Sequence, residues 1–121
     1  MTPDLTFASL FNQQAKTQNV ILSKGLYLGY TGEVPMDVPT LASYHVQQLV
    51  SEIGEVLHAD KRWKNFRNEG FDRTNKVEEI ADCFIVLMNI AMFSGVSAEE
   101  MEQAIADKIA KVYERVSDEP E

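Results

Sequence analysis

Apolar side chains recur along this chain at spacings of three and four. Between Gln47 and Leu57, with Val46 just before, the positions Val46, Leu49, Val50, Ile53, Val56 and Leu57 fall on one stripe. That period predicts an amphipathic helix, opened by Pro39-Thr40 and running to about Ala59. A second stripe of Val77, Ile80, Ala81, Phe84, Leu87, Met88 and Ala91 predicts a core-facing helix from Val77 to about Phe93, capped by Thr74 and ended by Gly95. Upstream, Leu5 to about Gln18 is helix-compatible, with Thr2 or Asp4 as a cap and Pro3 near the first turn. Downstream, Ser97-Ala98-Glu99-Glu100 matches a capping box. It opens a last helix to about Val116, with Met101, Ala104, Ile105, Ile109, Val112 and Val116 expected inward.

The segment from Val20 to Pro39 is punctuated by Gly25, Gly29, Gly32, Pro35 and Pro39. It reads as an extension of the first helix or a short second one, then a loop from about Thr31. Lys61 to Thr74 reads as another loop, and the tail from about 117 to 121 as frayed. No stretch alternates as a strand would. The expected fold is all-α, four-helix bundle-like, in one domain spanning 1–121.

Composition narrows the classes. With 45% hydrophobic and 25% charged residues, the 121-residue chain is neither disordered nor collagen-like. A net charge of −8 argues against binding nucleic acid, which needs a basic face to displace counterions. The longest apolar run, Ala81 to Val96, is interrupted by Asp82, Asn89, Ser94 and Gly95, so no membrane span is expected. Met1-Thr2-Pro3-Asp4 lacks the pattern of a signal peptide, and the lone Cys83 suits a reducing compartment. The expected location is cytoplasmic.

The chemistry lies in two acid pairs. Glu52 and Glu55 stand three residues apart on one helix, and Glu79 and Asp82 repeat the spacing on the next. Spacing of three brings carboxylates to neighbouring turns of one face. Single pairs of this kind are usually solvated surface. Here each pair is flanked by apolar positions, and neither has a basic residue four positions on to neutralise it. Oxygen-only ligation favours magnesium, with manganese as the alternative. Glu55-Val56-Leu57-His58 is also a Glu-x-x-His, which raises a di-iron carboxylate bundle, but no second histidine answers it. His45 and Gln48 share the face of Glu52 and read as substrate contacts or plain surface. Lys61-Arg62-Trp63-Lys64 reads either as a nucleotide contact, with cations on phosphate and Trp63 on a base, or as a solvated loop with Trp63 plugging the bundle end. Lys108, Lys111 and Arg115 form a basic line on the last helix, a solvated face or a phosphate clamp. Cys83, Met88, Met92 and Met101 read as core.

Glu52-x-x-Glu55 followed by Glu79-x-x-Asp82, with the basic-aromatic cluster between them, resembles the signature of the all-α nucleoside triphosphate pyrophosphohydrolases, the MazG and dimeric dUTPase superfamily. The likeness covers roughly Leu41 to Val116. It implies that Glu52, Glu55, Glu79 and Asp82 hold magnesium. It also implies that Trp63 stacks the base and that Lys108, Lys111 and Arg115 touch phosphates. The implied reaction converts a nucleoside triphosphate, a pyrimidine deoxynucleotide such as dUTP or dCTP, to monophosphate and pyrophosphate. Glu52 or Glu55 would be the general base, with Lys61 or Lys64 on the phosphate chain. Shorter relatives complete their sites by assembly, so a homodimer or homotetramer is expected. The competing expectation is a non-catalytic acidic helical protein whose apolar faces serve a partner.

Overall fold

The computed structural model describes residues 5–24, 39–64 and 70–117. These form four helices, α1 (Phe7–Ser23), α2 (Pro39–Ala59), α3 (Arg73–Phe93) and α4 (Ala98–Ser117), with a 3₁₀ turn at Lys61–Trp63. The fold is all-α and four-helix bundle-like, and the described residues contain no strand.

Local chemistry sets each boundary. Thr6 is extended and its hydroxyl accepts the Ser9 amide at 3.2 Å, so α1 starts there; Thr2 and Asp4, the expected caps, lie outside the described residues. The helix continues to Ser23, which is the extension reading of Val20 onward; the expected loop from Thr31 falls largely outside the described residues, as does the tail beyond Ser117. At α3 the cap is Asp72, whose carboxylate accepts the Asn75 amide at 3.2 Å. The helix therefore begins a turn earlier than expected, and Thr74 lies inside it. Gly95, at φ 77°, ends the α3 corner, donating to the Met92 carbonyl while Val96 donates to that of Ala91. Only glycine adopts that backbone without strain. Beyond it, Ser97 and Glu100 exchange side chain-to-amide bonds of 3.1 and 3.2 Å, the capping box expected there. The chain turns by 116° between α3 and α4.

Helices α2 and α3 pack most extensively and run antiparallel: Asp60, just after α2, meets Lys76 at the start of α3, while His45 near the start of α2 stacks on Phe93 at the end of α3. The core gathers at that second end. Phe11 and Leu22 of α1, Leu41 of α2, Met92 and Phe93 of α3 and Ala98 of α4 are all buried there. A polar bond, Gln14 Nε2 to Asn89 Oδ1 at 3.0 Å, ties α1 to α3 beside it. The acids lie on the α2–α3 hairpin away from that end.

Among the described residues, three of the expected inward stripes are exposed. Val46, Val50, Ile53 and Leu57 on α2, Val77, Ile80, Phe84 and Leu87 on α3, and Ile105, Ile109, Val112 and Val116 on α4 are all exposed. The reason lies in which line each helix turns to its neighbour. On α2 the line of His45, Gln48 and Glu52 faces α3, and on α3 the line of Glu79, Cys83 and Val86 faces back. Each exposed stripe follows its inward line by one residue, a rotation of about 100° in the same sense. In antiparallel helices equal rotations lead to the same side. The α2 and α3 stripes therefore form one continuous apolar face of the hairpin.

Candidate functional site

Glu52 from α2 and Glu79 and Asp82 from α3 bring one carboxylate oxygen each within 4.8 Å of one another. Opposite ligands of octahedral magnesium stand about 4.2 Å apart, so a small side-chain adjustment would close these oxygens on one hard cation. Glu52 and Glu79 are half-buried and Asp82 is exposed, which leaves water an approach from one side. Burial pushes the Glu79 carboxyl above its ordinary range, and the negative charges of Asp82, Glu55, Glu52 and Glu78 push the same way. Glu55 thus acts on the cluster through its charge while its oxygens lie outside the close trio. The Cys83 thiol, one turn on from Glu79, is raised by burial and then by Glu52, Asp82 and Glu79. A divalent cation would relieve this concentration of like charge.

The acids lean away from the apolar face. Asp82 precedes the inward Cys83 by one residue, whereas the stripe residue Phe84 follows it. Glu55 is likewise rotated from Glu52 in the direction opposite to Ile53. One face of the hairpin is therefore carboxylate and the other hydrocarbon.

The remaining expected site residues fall into separate places. His45 is fully buried, against expectation. Its ring stacks on Phe93 at 5.3 Å, and Nδ1 lies 2.9 Å from Gln48 Oε1. Burial lowers its pKa and the Gln48 bond opposes that shift. His45 is therefore a core residue and not a surface contact, while Gln48 is half-buried beside it. His58 is exposed in the last turn of α2 and is not part of the carboxylate cluster.

Trp63 is 58% exposed, with its Nε1 donating to the Leu57 carbonyl at 3.3 Å, so it does not plug the bundle end. Lys64 Nζ stands 5.5 Å from its ring centre. Lys61 and Lys64 make no ion pair among the described residues. Lys108, Lys111 and Arg115 lie on the exposed outer part of α4, which packs on α1, and the chain does not bring them beside the carboxylates.

Sequence reasoning passed over Asp60. This residue, only 7% exposed, accepts the Arg62 amide at 3.1 Å, Arg62 Nε and Nη2 at 2.8 and 2.7 Å, and Lys76 Nζ at 2.8 Å. The Arg62 guanidinium lies 3.5 Å from the centre of the Phe71 ring. These bonds, Arg62 first and Lys76 second, hold the Asp60 carboxyl far below the usual carboxylate range. The available signal was an aspartate directly after a helix and two before an arginine, the pattern of a capped turn.

Compared with protein families, with curated proteins and with solved structures, the chain has no match in any of the three.

Proposed function

We propose that this chain is a magnesium-dependent nucleoside triphosphate pyrophosphohydrolase of the MazG-like kind, cleaving a deoxynucleotide, a pyrimidine in first place, to monophosphate and pyrophosphate. The observation that carries the reading is the convergence of Glu52, Glu79 and Asp82 from two antiparallel helices to within 4.8 Å. A divalent cation held there supplies Lewis-acid polarisation of phosphate oxygens and lowers the pKa of a water. Glu55, outside the trio, is the carboxylate left to take a proton from the attacking water. Lys61 and Lys64, at the end of α2, offer ammonium groups to the phosphate chain, and the exposed Trp63 ring offers a stacking surface to a base.

The test is incubation of the full chain with each ribo- and deoxynucleoside triphosphate, with and without magnesium, reading pyrophosphate and orthophosphate separately. Magnesium-dependent pyrophosphate release is expected, fastest with dUTP or dCTP. Release of orthophosphate alone would overturn the cleavage position, and no turnover with any triphosphate would leave the non-catalytic reading in its place.

The working unit is a homodimer or homotetramer. The joined α2–α3 stripe leaves eight large apolar side chains exposed on one face, the kind of contiguous patch that marks an interaction surface. It contains no charged position, so a second copy of this acidic chain meets it without like-charge repulsion. Pairing through it would leave the carboxylate face open. Light scattering should give at least twice the 13.7 kDa of one chain. Phe84→Glu, at a position 60% exposed in the single chain, should return it to 13.7 kDa with helicity intact. Wild type already at single-chain mass would rule the assembly out.

A further inference from the structure

Asp60 and its two cations lie beside the carboxylate cluster without belonging to it. Lys76 sits three residues before Glu79, so the two side chains leave α3 on neighbouring turns of one face, where opposite charges ordinarily pair. In this structure they do not. The Lys76 ammonium reaches back across the hairpin to Asp60 Oδ2 at 2.8 Å, over the Phe71 ring at 5.5 Å. The same carboxylate holds the Arg62 guanidinium in a two-pronged bond. Two cations at the acid end of the hairpin are thus tied to one carboxylate that has no part in the cluster.

We propose that Asp60 is a positioning residue for the cation site: by holding Lys76 it prevents that lysine from pairing with Glu79 and displacing the divalent ion. The inference rests on the reading of Glu52, Glu79 and Asp82 as the cation's ligands. Without the Asp60 charge, rotation about the lysine side chain's own bonds carries the ammonium from one carboxylate to the other. An internal ammonium on Glu79 then competes with the metal for the same oxygens. The carboxylates of Glu52 and Asp82, each with an oxygen within 4.8 Å of one on Glu79, concentrate negative charge there, and that charge attracts a released ammonium.

The experiment is titration of the full chain with Mn²⁺, following the free ion by electron paramagnetic resonance. Asp60→Asn should raise the dissociation constant about five-fold, the size expected of a competing charge at a partly solvated site. Lys76→Met should bind as wild type or more tightly, and Asp60→Asn/Lys76→Met should return to within about two-fold of Lys76→Met. Asp60→Ser, which keeps a capping oxygen for the Arg62 amide, serves where Asp60→Asn fails to fold. A purely structural Asp60 gives the opposite pattern, with Lys76→Met also weakening binding and no recovery in the double variant, and that result overturns the proposal. Loss of Mn²⁺ binding in Glu79→Gln with no change in Asp60→Asn overturns it alone. Absence of Mn²⁺ binding in wild type overturns it together with the cation site.

Discussion

Replacing Glu79 by Gln should lower the proposed pyrophosphate release on the order of a thousand-fold, the scale set by losing a charged group that acts on the transition state. Glu79 is the carboxylate on which the cluster centres. Its oxygen is within 4.8 Å of those of Glu52 and Asp82, and its charge is felt alongside that of Glu55. Glutamine keeps the shape and one oxygen but not the charge that holds a hard cation. The fold should not suffer. Burial and neighbouring carboxylates already disfavour the ionised Glu79, so a neutral amide removes repulsion from the metal-free protein. The expected outcome is therefore lost turnover with a metal-free melting temperature at or above that of wild type. Steady-state assays at saturating magnesium and thermal melts in chelator measure the two halves. Retained turnover would mean that catalysis does not depend on this cluster, and the metal-site reading would fall.

Phe93→Ala has the opposite character: a large loss of stability and no direct effect on the acids. Phe93 is wholly buried where α1, α2, α3 and α4 meet, stacked nearly parallel to His45 at 4°. Truncating a buried phenylalanine costs about 3–5 kcal/mol through lost burial and the cavity left behind. That is a large fraction of the roughly 5–15 kcal/mol holding a domain folded. Melting temperature should fall by more than about 10 °C, measured at fixed chain concentration because the proposed assembly would add its own stability. A fall of only a few degrees would mean that the packed end is not the anchor of the fold. The phenylalanine nine residues earlier, Phe84, is exposed in the single chain, so its truncation should cost folding little and assembly much.

The contrast between Phe84 and Phe93 marks how far the sequence could be read. Period and capping residues located the helices: the Ser97 box, the Gly95 stop and the Pro39 start all lie where spacing puts them. They did not say which line of each helix meets a neighbour within the same chain. α2 and α3 each carry apolar residues around more than half their circumference, so the pattern permits several inward lines. The half-polar line containing Glu52, Glu79 and Cys83 is the one that closes, because antiparallel packing aligns it. His45 shows a second limit. Seven residues from Glu52 keeps the same face, but it also means about 10 Å along the axis, which carries His45 into the packed end. The ion pairs were missed for a plain reason. Looking four residues ahead of each acid for a lysine overlooks Lys76, which stands three behind Glu79, and says nothing of Asp60, which meets it only across the hairpin.

The corner at Gly95 has a consequence for how this chain tolerates change. Each helical residue advances the azimuth by about 100°, so losing or gaining one residue between Phe93 and Ala98 would swing the ridge of Ile105, Ile109, Val112 and Val116 more than a quarter of the way around α4. Substitutions along that ridge alter it one tooth at a time. A change of length at the corner rephases all of it at once, which makes a four-residue bend the place where this molecule has least freedom to drift.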